Sequence, residues 1–266
     1  MQQANDFRAE SDALATVLEP LADGAFDTPT LFKGWSIDDV IGHLHLFNVA
    51  AEISLQGDDA FAAFFAPLQA GIAQGQSLRD LQYPWLDGLR GRALFETWRD
   101  TVHRVADGFG AVDPKRRLKW AGPDMSALSS ITARQMETWA HGQEVFDALG
   151  QTRIEHDRVR NIAHLGVATF GWTHVNRRQP VPDPAPFVQL TGPSGAIWEW
   201  NEPQQDNCVT GSAVGFAQAV AQTRNVADTD VRTVGPVATQ WMAMAQCFAG
   251  PPEDPPAPGA RHRAVV

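Results

Sequence analysis

The chain has 266 residues, enough for one large domain or two of ordinary size. Its net charge of −10 argues against binding of nucleic acid through the phosphate backbone, which requires a basic surface. No segment approaches the ~18 consecutive apolar residues of a membrane-spanning helix, and the acidic N-terminus lacks the basic and apolar regions of a signal peptide. Cys208 and Cys247 form no CxxC pair, so we expect a cytoplasmic protein with free thiols. From the charge and the lack of a long apolar segment we expect no nucleic-acid or membrane partner.

Helical periodicity dominates the first part of the chain. Apolar residues recur at spacings of three, four or seven in each segment. Ser36 is a good N-cap for the second segment, and Gly150 is a typical residue to follow the fourth. The predicted helices cover residues 7–21, 34–55, 90–109, 126–150 and 156–175.

The composition changes at residues 177–187, where four prolines in seven positions break any helix. The segments FVQLTG, AIWEW and NCVTG that follow are typical of strands, and helices are predicted near 212–224 and 235–248. We therefore predict a mainly α protein. Its predicted parts are a helical domain at 1–178, a small α/β domain at 183–252 and a disordered tail at 253–266.

One predicted helix carries three polar side chains on a single stripe. Glu137, His141 and Glu144 follow one another at spacings of four and three. Residues four apart lie on the same face of a helix, so Glu137 and His141 could bind one metal ion. An isolated pair of this kind is also common at the charged edge of an ordinary amphipathic helix, and spacing alone leaves both interpretations open.

His43 helps to decide between a metal site and the charged edge of an ordinary helix. It follows Val40 on the second predicted helix, at the margin of the apolar face, where a histidine can simply be a core residue. Facing Glu137 and His141 from another helix, it would complete a set of two imidazole nitrogens and one carboxylate. Such a set leaves a coordination position for water or substrate, as in catalytic zinc sites.

Two segments, GWSIDDVIGHL at 34–44 and ARQMETWAHGQEVFDALG at 133–150, resemble the signature helices of the DinB/YfiT-like metalloprotein superfamily. Within it the chain is most similar to the branch of mycothiol-dependent maleylpyruvate isomerase. WMAMAQCFAGPP at 241–252 resembles the C-terminal stretch of a metal-binding subgroup of that branch. The resemblance implies an N-terminal four-helix bundle that carries a divalent metal, usually zinc, followed by a small α/β domain.

The resemblance also implies roles for individual residues. His43, Glu137 and His141 match the metal ligands. Glu144 matches an acidic residue that is commonly Asp, and could either move a proton or orient His141. Arg224 matches, only approximately, an arginine in the first helix of the second domain. It would bind a substrate carboxylate, unless it forms an ordinary surface ion pair.

A low-molecular-weight thiol, mycothiol or glutathione, would then be the cosubstrate. Its thiolate would add to a small electrophilic substrate that bears a carboxylate. The outcome would be cis–trans isomerisation after rotation and elimination, or transfer if the adduct is released. The alternatives are a metal-dependent hydrolase that uses bound water and a metal-binding module without catalysis. The expected partners are the substrate and the thiol, in a monomer or homodimer.

Overall fold

The computed structural model describes residues 1–261, and the predicted mainly α class is confirmed. None of the helices in this range combines the length and apolar character needed to cross a membrane. The helices are α1 Gln2–Leu18, α2 Ile37–Ser54, α3 Asp58–Ala73, α4 Leu78–Leu86, α5 Gly91–Gly110, α6 Ala127–Ala148, α7 Arg160–Ala168, α8 Phe170–Asn176, α9 Ala213–Val220 and α10 Pro236–Met244. The strands are β1 Arg117–Leu118, β2 Met125–Ser126, β3 Phe187–Thr191, β4 Ile197–Trp200, β5 Cys208–Ser212 and β6 Arg232–Val234.

Two compact units make up the described chain, the first from Met1 to Gln151 and the second beginning at Thr152. This division falls well before the proline-rich boundary predicted between 178 and 183. The difference arises because α7 packs against α9: a Cβ atom on Gly166 would lie 2.7 Å from Val220 and 2.9 Å from Phe216. Helices α7 and α8 therefore belong with the sheet that follows them.

Four long helices form the core of the first unit. α1 packs against α5 and α6, and α2 packs against the same two helices. The apolar positions of the third predicted helix are all buried in this core; they are Leu94, Trp98, Val102, Val105 and Phe109. Helices α3 and α4, which periodicity did not predict, lie beside α2 and each contain a proline.

Side-chain caps fix where α2 and α6 begin. Ser36 Oγ accepts a hydrogen bond from the Asp39 amide at 3.1 Å, and Asp39 Oδ2 accepts one from the Ser36 amide at 2.9 Å. This reciprocal pair is a capping box, and it confirms Ser36 as the N-cap. At the start of α6, Ser126 Oγ is the cap and accepts a hydrogen bond from the Ser129 amide. The caps set the register that brings the polar residues of α2 and α6 together.

The second unit contains a four-stranded sheet in the order β4-β3-β5-β6. β3 and β5 are parallel, and the other two pairs are antiparallel. The three predicted strands correspond to β3, β4 and β5, while α9 and α10 are shorter than the helices predicted near them.

Residues 253–261, predicted from composition to be a disordered tail, belong to the second unit and hydrogen-bond to other residues of it. Asn225 Nδ2 donates to the Pro256 carbonyl at 2.8 Å, and the Gly259 amide donates to Asp228 Oδ2 at 2.9 Å. Residues 262–266 of the predicted tail lie outside the described residues.

Candidate metal centre

α2 and α6 bring three candidate ligands together in the first unit. One ligand atom from each of His43, Glu137 and His141 lies within 4.8 Å of the other two. The Nε2 atoms of both histidines face the same Glu137 oxygen, Oε2, at 3.5 Å for His43 and 3.3 Å for His141. Two imidazole nitrogens and one carboxylate oxygen are the donors that zinc prefers. The cluster therefore fits a divalent ion, and metal binding remains a prediction.

Aromatic rings surround the two histidines. Trp35 stacks on His141 with its ring centroid 6.0 Å away, and Phe32 meets the same imidazole edge-on at 5.0 Å. Phe47 lies 4.9 Å from the ring of His43. These apolar neighbours restrict water and hold the imidazole planes in place. The side chains of Glu137 and His141 nevertheless keep 22 % and 13 % of their surface exposed, so a small ligand can reach them.

The protonation states suit metal binding. Burial lowers the pKa of His43 to about 4, so its imidazole is neutral at pH 7 and has a free lone pair. Burial alone would raise the pKa of Glu137, but hydrogen bonds from His141 and His43 hold that pKa well below its usual range. The carboxylate is therefore ionised, and the neutral imidazole of His43 lies beside it.

Glu144 and Arg224 are not part of this cluster. Glu144 lies almost one turn beyond His141 on α6 and is buried. Arg224 lies in the turn after α9 in the second unit, not within the helix, and its Nη1 donates to the Thr223 carbonyl at 2.9 Å. Their predicted roles in catalysis remain predictions.

Sequence reasoning missed a buried polar pair beside the cluster. Arg134 on α6 and Asn48 on α2 are 2 % and 0 % exposed, and Arg134 Nε donates to Asn48 Oδ1 at 3.1 Å. A signal was available: Arg134 precedes Glu137 by three residues and His141 by seven, so all three lie on one helical stripe. Asn48 lies four residues after Leu44 and therefore on the same apolar face of α2.

Comparison with known proteins gives concordant matches. The family model described as the mycothiol maleylpyruvate isomerase N-terminal domain matches residues 7–146, which is 140 of the 266 residues. Two uncharacterised proteins of Mycobacterium tuberculosis, Rv0036c of strain H37Rv and MT0041 of strain CDC 1551, are each 40 % identical to this chain over 248 residues. The match covers 93 % of this chain and 95 % of theirs.

Two solved structures have a similar fold. They are crystal structures of the mycothiol-dependent maleylpyruvate isomerase and of a histidine-to-alanine variant of it. Each matches with a TM-score of 0.54 at 14 % identity, over 87 % of this chain and 91 % of the other. At that identity the likeness concerns the fold, and the function must be argued from the residues of this chain.

Proposed function

Because the chain belongs to the family of the mycothiol maleylpyruvate isomerase N-terminal domain, we propose that it is a metal- and thiol-dependent enzyme. Its substrate would be a small electrophile that bears a carboxylate. The observation that carries the proposal is the convergence of His43, Glu137 and His141 from two helices. Cis–trans isomerisation is the first candidate reaction, since the solved structures of similar fold are of an isomerase; transfer of the thiol is the second.

Zinc is the ion we propose, held by His43, Glu137 and His141. When bound, a divalent ion supplies a Lewis acid that lowers the pKa of a thiol at the site. The thiolate would add to one carbon of a conjugated double bond, and the π electrons would move toward the adjacent carbonyl. The resulting single bond can rotate, and elimination of the thiolate then restores the double bond in the trans form.

Other residues of the chain would bind, shield and move protons. Trp35 and Phe47 would exclude water around the histidines, which favours addition of the thiol over hydrolysis. We propose that Glu144 carries the thiol proton away and returns it, unless it serves only to orient His141. Arg224 would offer its guanidinium to a substrate carboxylate.

Metal analysis tests the ligand assignment. We expect about one zinc per chain in the wild type and loss of that zinc in His141→Ala. His103→Ala is the matched control, because His103 lies on α5 with 45 % of its side chain exposed, and should keep its zinc. Unchanged zinc in His141→Ala would show that the ligands are assigned wrongly.

Activity requires a separate test. Zinc-loaded and metal-free protein should be mixed with a cis-enedioyl electrophile, with and without a small thiol. We expect consumption only when zinc and thiol are both present. Turnover in thiol-free buffer would replace the proposal with metal-dependent hydrolysis. Zinc binding without turnover for any thiol, mycothiol and glutathione included, would leave a metal-binding module.

A further inference from the structure

The guanidinium of Arg134 is a buried charge that the ligand set does not use. Its Nε donates to Asn48 Oδ1 at 3.1 Å, but its Nη2 is buried without a hydrogen-bond partner. Within residues 1–261, no carboxylate forms an ion pair with it. A buried donor left without an acceptor costs about 1–3 kcal/mol, and more when it is charged. Within the folded chain the negative charge of Glu137 offsets part of this cost, but Nη2 still lacks an acceptor.

Asn48 adds a second donor to the same place. The Nε–H of Arg134 requires an acceptor, so the amide atom that faces it is Oδ1, and Nδ2 is left as the donor. Asn48 is completely buried, and its Nδ2 also lacks a hydrogen-bond partner among the described residues. Two side chains in contact therefore present two unpaired donors, one of them cationic, while Asn48 Oδ1 already accepts from Arg134.

This pair lies next to the candidate ligands. Arg134 is one turn before Glu137 on α6, and Asn48 is five residues after His43 on α2. The guanidinium carbon is 5.8 Å from the centroid of the Phe47 ring, which is itself 4.9 Å from the His43 imidazole. The ligands and the donors thus occupy adjacent positions along the packed faces of α2 and α6.

The charge balance favours an anionic occupant. Burial lowers the pKa of Arg134 to about 10, which still leaves it protonated at pH 7. A divalent ion on the cluster would more than neutralise Glu137, so the positive charge of Arg134 would then be in excess. A carboxylate can accept hydrogen bonds from a guanidinium and an amide together.

We propose that Arg134 and Asn48 form an anion subsite that binds a carboxylate of the substrate beside the metal centre. The inference rests on the proposed function for the identity of the substrate. It narrows the substrate class to small molecules whose carboxylate is separated from the reacting carbon by only a few atoms. It also places a binding cation within the first unit, independently of Arg224.

Ligand binding tests the subsite without any turnover. Zinc-loaded protein should be titrated calorimetrically with maleate, with its neutral diamide maleamide and with inorganic phosphate. We expect the wild type to bind maleate at least tenfold more tightly than either of the others. Arg134→Met should weaken maleate binding at least tenfold and keep its zinc. Arg99→Met, which removes the guanidinium that pairs with Glu19, should behave as the wild type.

Thermal unfolding separates a binding role from a structural one. If Arg134 serves a ligand, maleate should raise the Tm of the wild type but not of Arg134→Met. Without ligand, the variant buries no unpaired charge but loses the hydrogen bond to Asn48, so its Tm should stay close to that of the wild type. A large drop in Tm with maleate binding retained would make Arg134 structural and overturn the proposal.

Asn48→Asp tests the same inference if Arg134→Met does not fold. This nearly isosteric change places a carboxylate against Arg134 from within the chain. We expect a higher Tm and loss of maleate binding, because the subsite would already hold an anion. Maleate binding by Asn48→Asp at wild-type affinity would overturn the proposal, as would a wild type that prefers maleamide or phosphate.

The results also distinguish this inference from the proposed function. Maleate binding that depends on Arg134, without thiol-dependent turnover, would support the subsite and exclude the reaction. Thiol-dependent turnover by Arg134→Met with an unchanged KM would support the reaction and exclude the subsite.

Discussion

At the residue scale, the packed faces of α2 and α6 combine charges that core helices ordinarily avoid. Glu137 is ionised because two histidines face one of its oxygens. Its negative charge also favours the protonated form of Arg134, against the effect of burial. In the metal-free protein this carboxylate therefore accepts hydrogen bonds from two histidines and lowers the free-energy cost of burying the Arg134 cation. Binding of a divalent ion would redirect the same carboxylate to the metal.

A double-mutant cycle on Glu137 and Arg134 measures that dependence. Glu137→Gln should lower the free energy of unfolding of the metal-free protein by about 1–3 kcal/mol, because a buried guanidinium loses the negative charge that acts on it. Adding Arg134→Met should recover part of that loss, since the unbalanced cation is then absent. Chemical unfolding of the four proteins gives the interaction energy. Additive effects of the two substitutions would show that the charges are not coupled.

From spacing and chemistry the sequence singled out three side chains that the structure brings together, and their role as ligands remains a prediction. Glu137 and His141 lie four apart on one helix, and His43 stands out as a polar residue at the margin of an apolar face. The pair of Arg134 and Asn48 was not predicted, because an unsatisfied donor is visible only after packing has removed its water. The sequence alone does not show which side-chain atoms are hydrogen-bonded once two helices have packed together.

At the element scale, the start of α5 is joined to the first turn of α2 by Asp38. Its Oδ1 accepts a hydrogen bond from the Gly91 amide at 2.7 Å, and its Oδ2 accepts one from Arg90 Nε at 3.2 Å. Burial raises the pKa of Asp38, although both bonds oppose that effect. The folded state therefore holds the Asp38 proton more tightly than the unfolded chain, whose carboxyl titrates near 3.8.

A pH dependence follows from that raised pKa. Between pH 3.8 and the folded pKa, the folded state binds more protons, so the contribution of Asp38 to stability falls as pH rises through this range. Asp38→Asn keeps an acceptor for the Gly91 amide and removes the titration. Its stability relative to the wild type should therefore be more favourable at pH 7 than at pH 4, as measured by urea unfolding.

The control for this measurement is Asp27→Asn. Asp27 is the exposed partner of Arg90, at 2.7 Å, and exposed pairs contribute little to stability. Its loss should change the unfolding midpoint only slightly at either pH. An equal effect of Asp38→Asn at pH 4 and pH 7 would contradict the raised pKa.

Element prediction succeeded where a local signal exists and failed where packing decides. Ser36 caps α2 as its sequence indicates, because a capping box needs only four neighbouring residues. α3 is an exception: Phe61, Phe64, Phe65 and Leu68 recur at helical spacing, so a local signal was present although the helix was not predicted. α7 was predicted as a helix within the first domain, whereas in the structure it packs against α9, which is distant in sequence, and groups with the second unit.

At the scale of the whole molecule, the candidate ligands and the anion subsite all lie before Gln151, within the first unit. Arg224 lies in the second unit. The proposed metal and carboxylate binding therefore belong to the first unit, and the proposed role of Arg224 belongs to the second. The position of the division between the units therefore also decides which of the proposed functional residues each unit contains.

Two fragments of the chain test this separation. Residues 1–151 contain a complete hydrophobic core, so we expect this fragment to fold, to bind one zinc and to bind maleate. The proposed role of Arg224 predicts that this fragment has no thiol-dependent turnover. Full activity of this fragment would remove Arg224 from the mechanism, and failure to bind zinc would show that the ligand cluster depends on the second unit.

The fragment 1–178, which ends at the boundary predicted from the prolines, is the matched comparison. It adds α7 and α8 without their partners: Phe170 packs edge-on against Trp241 at 5.1 Å, and Gly166 lies against α9. The exposed apolar faces should make this fragment bind a hydrophobic dye and aggregate more readily than 1–151. If fragment 1–178 has a higher free energy of unfolding than fragment 1–151, the division between the units lies at the proline-rich segment instead. Because both fragments contain the ligand cluster, their zinc content compares the two divisions independently of catalysis.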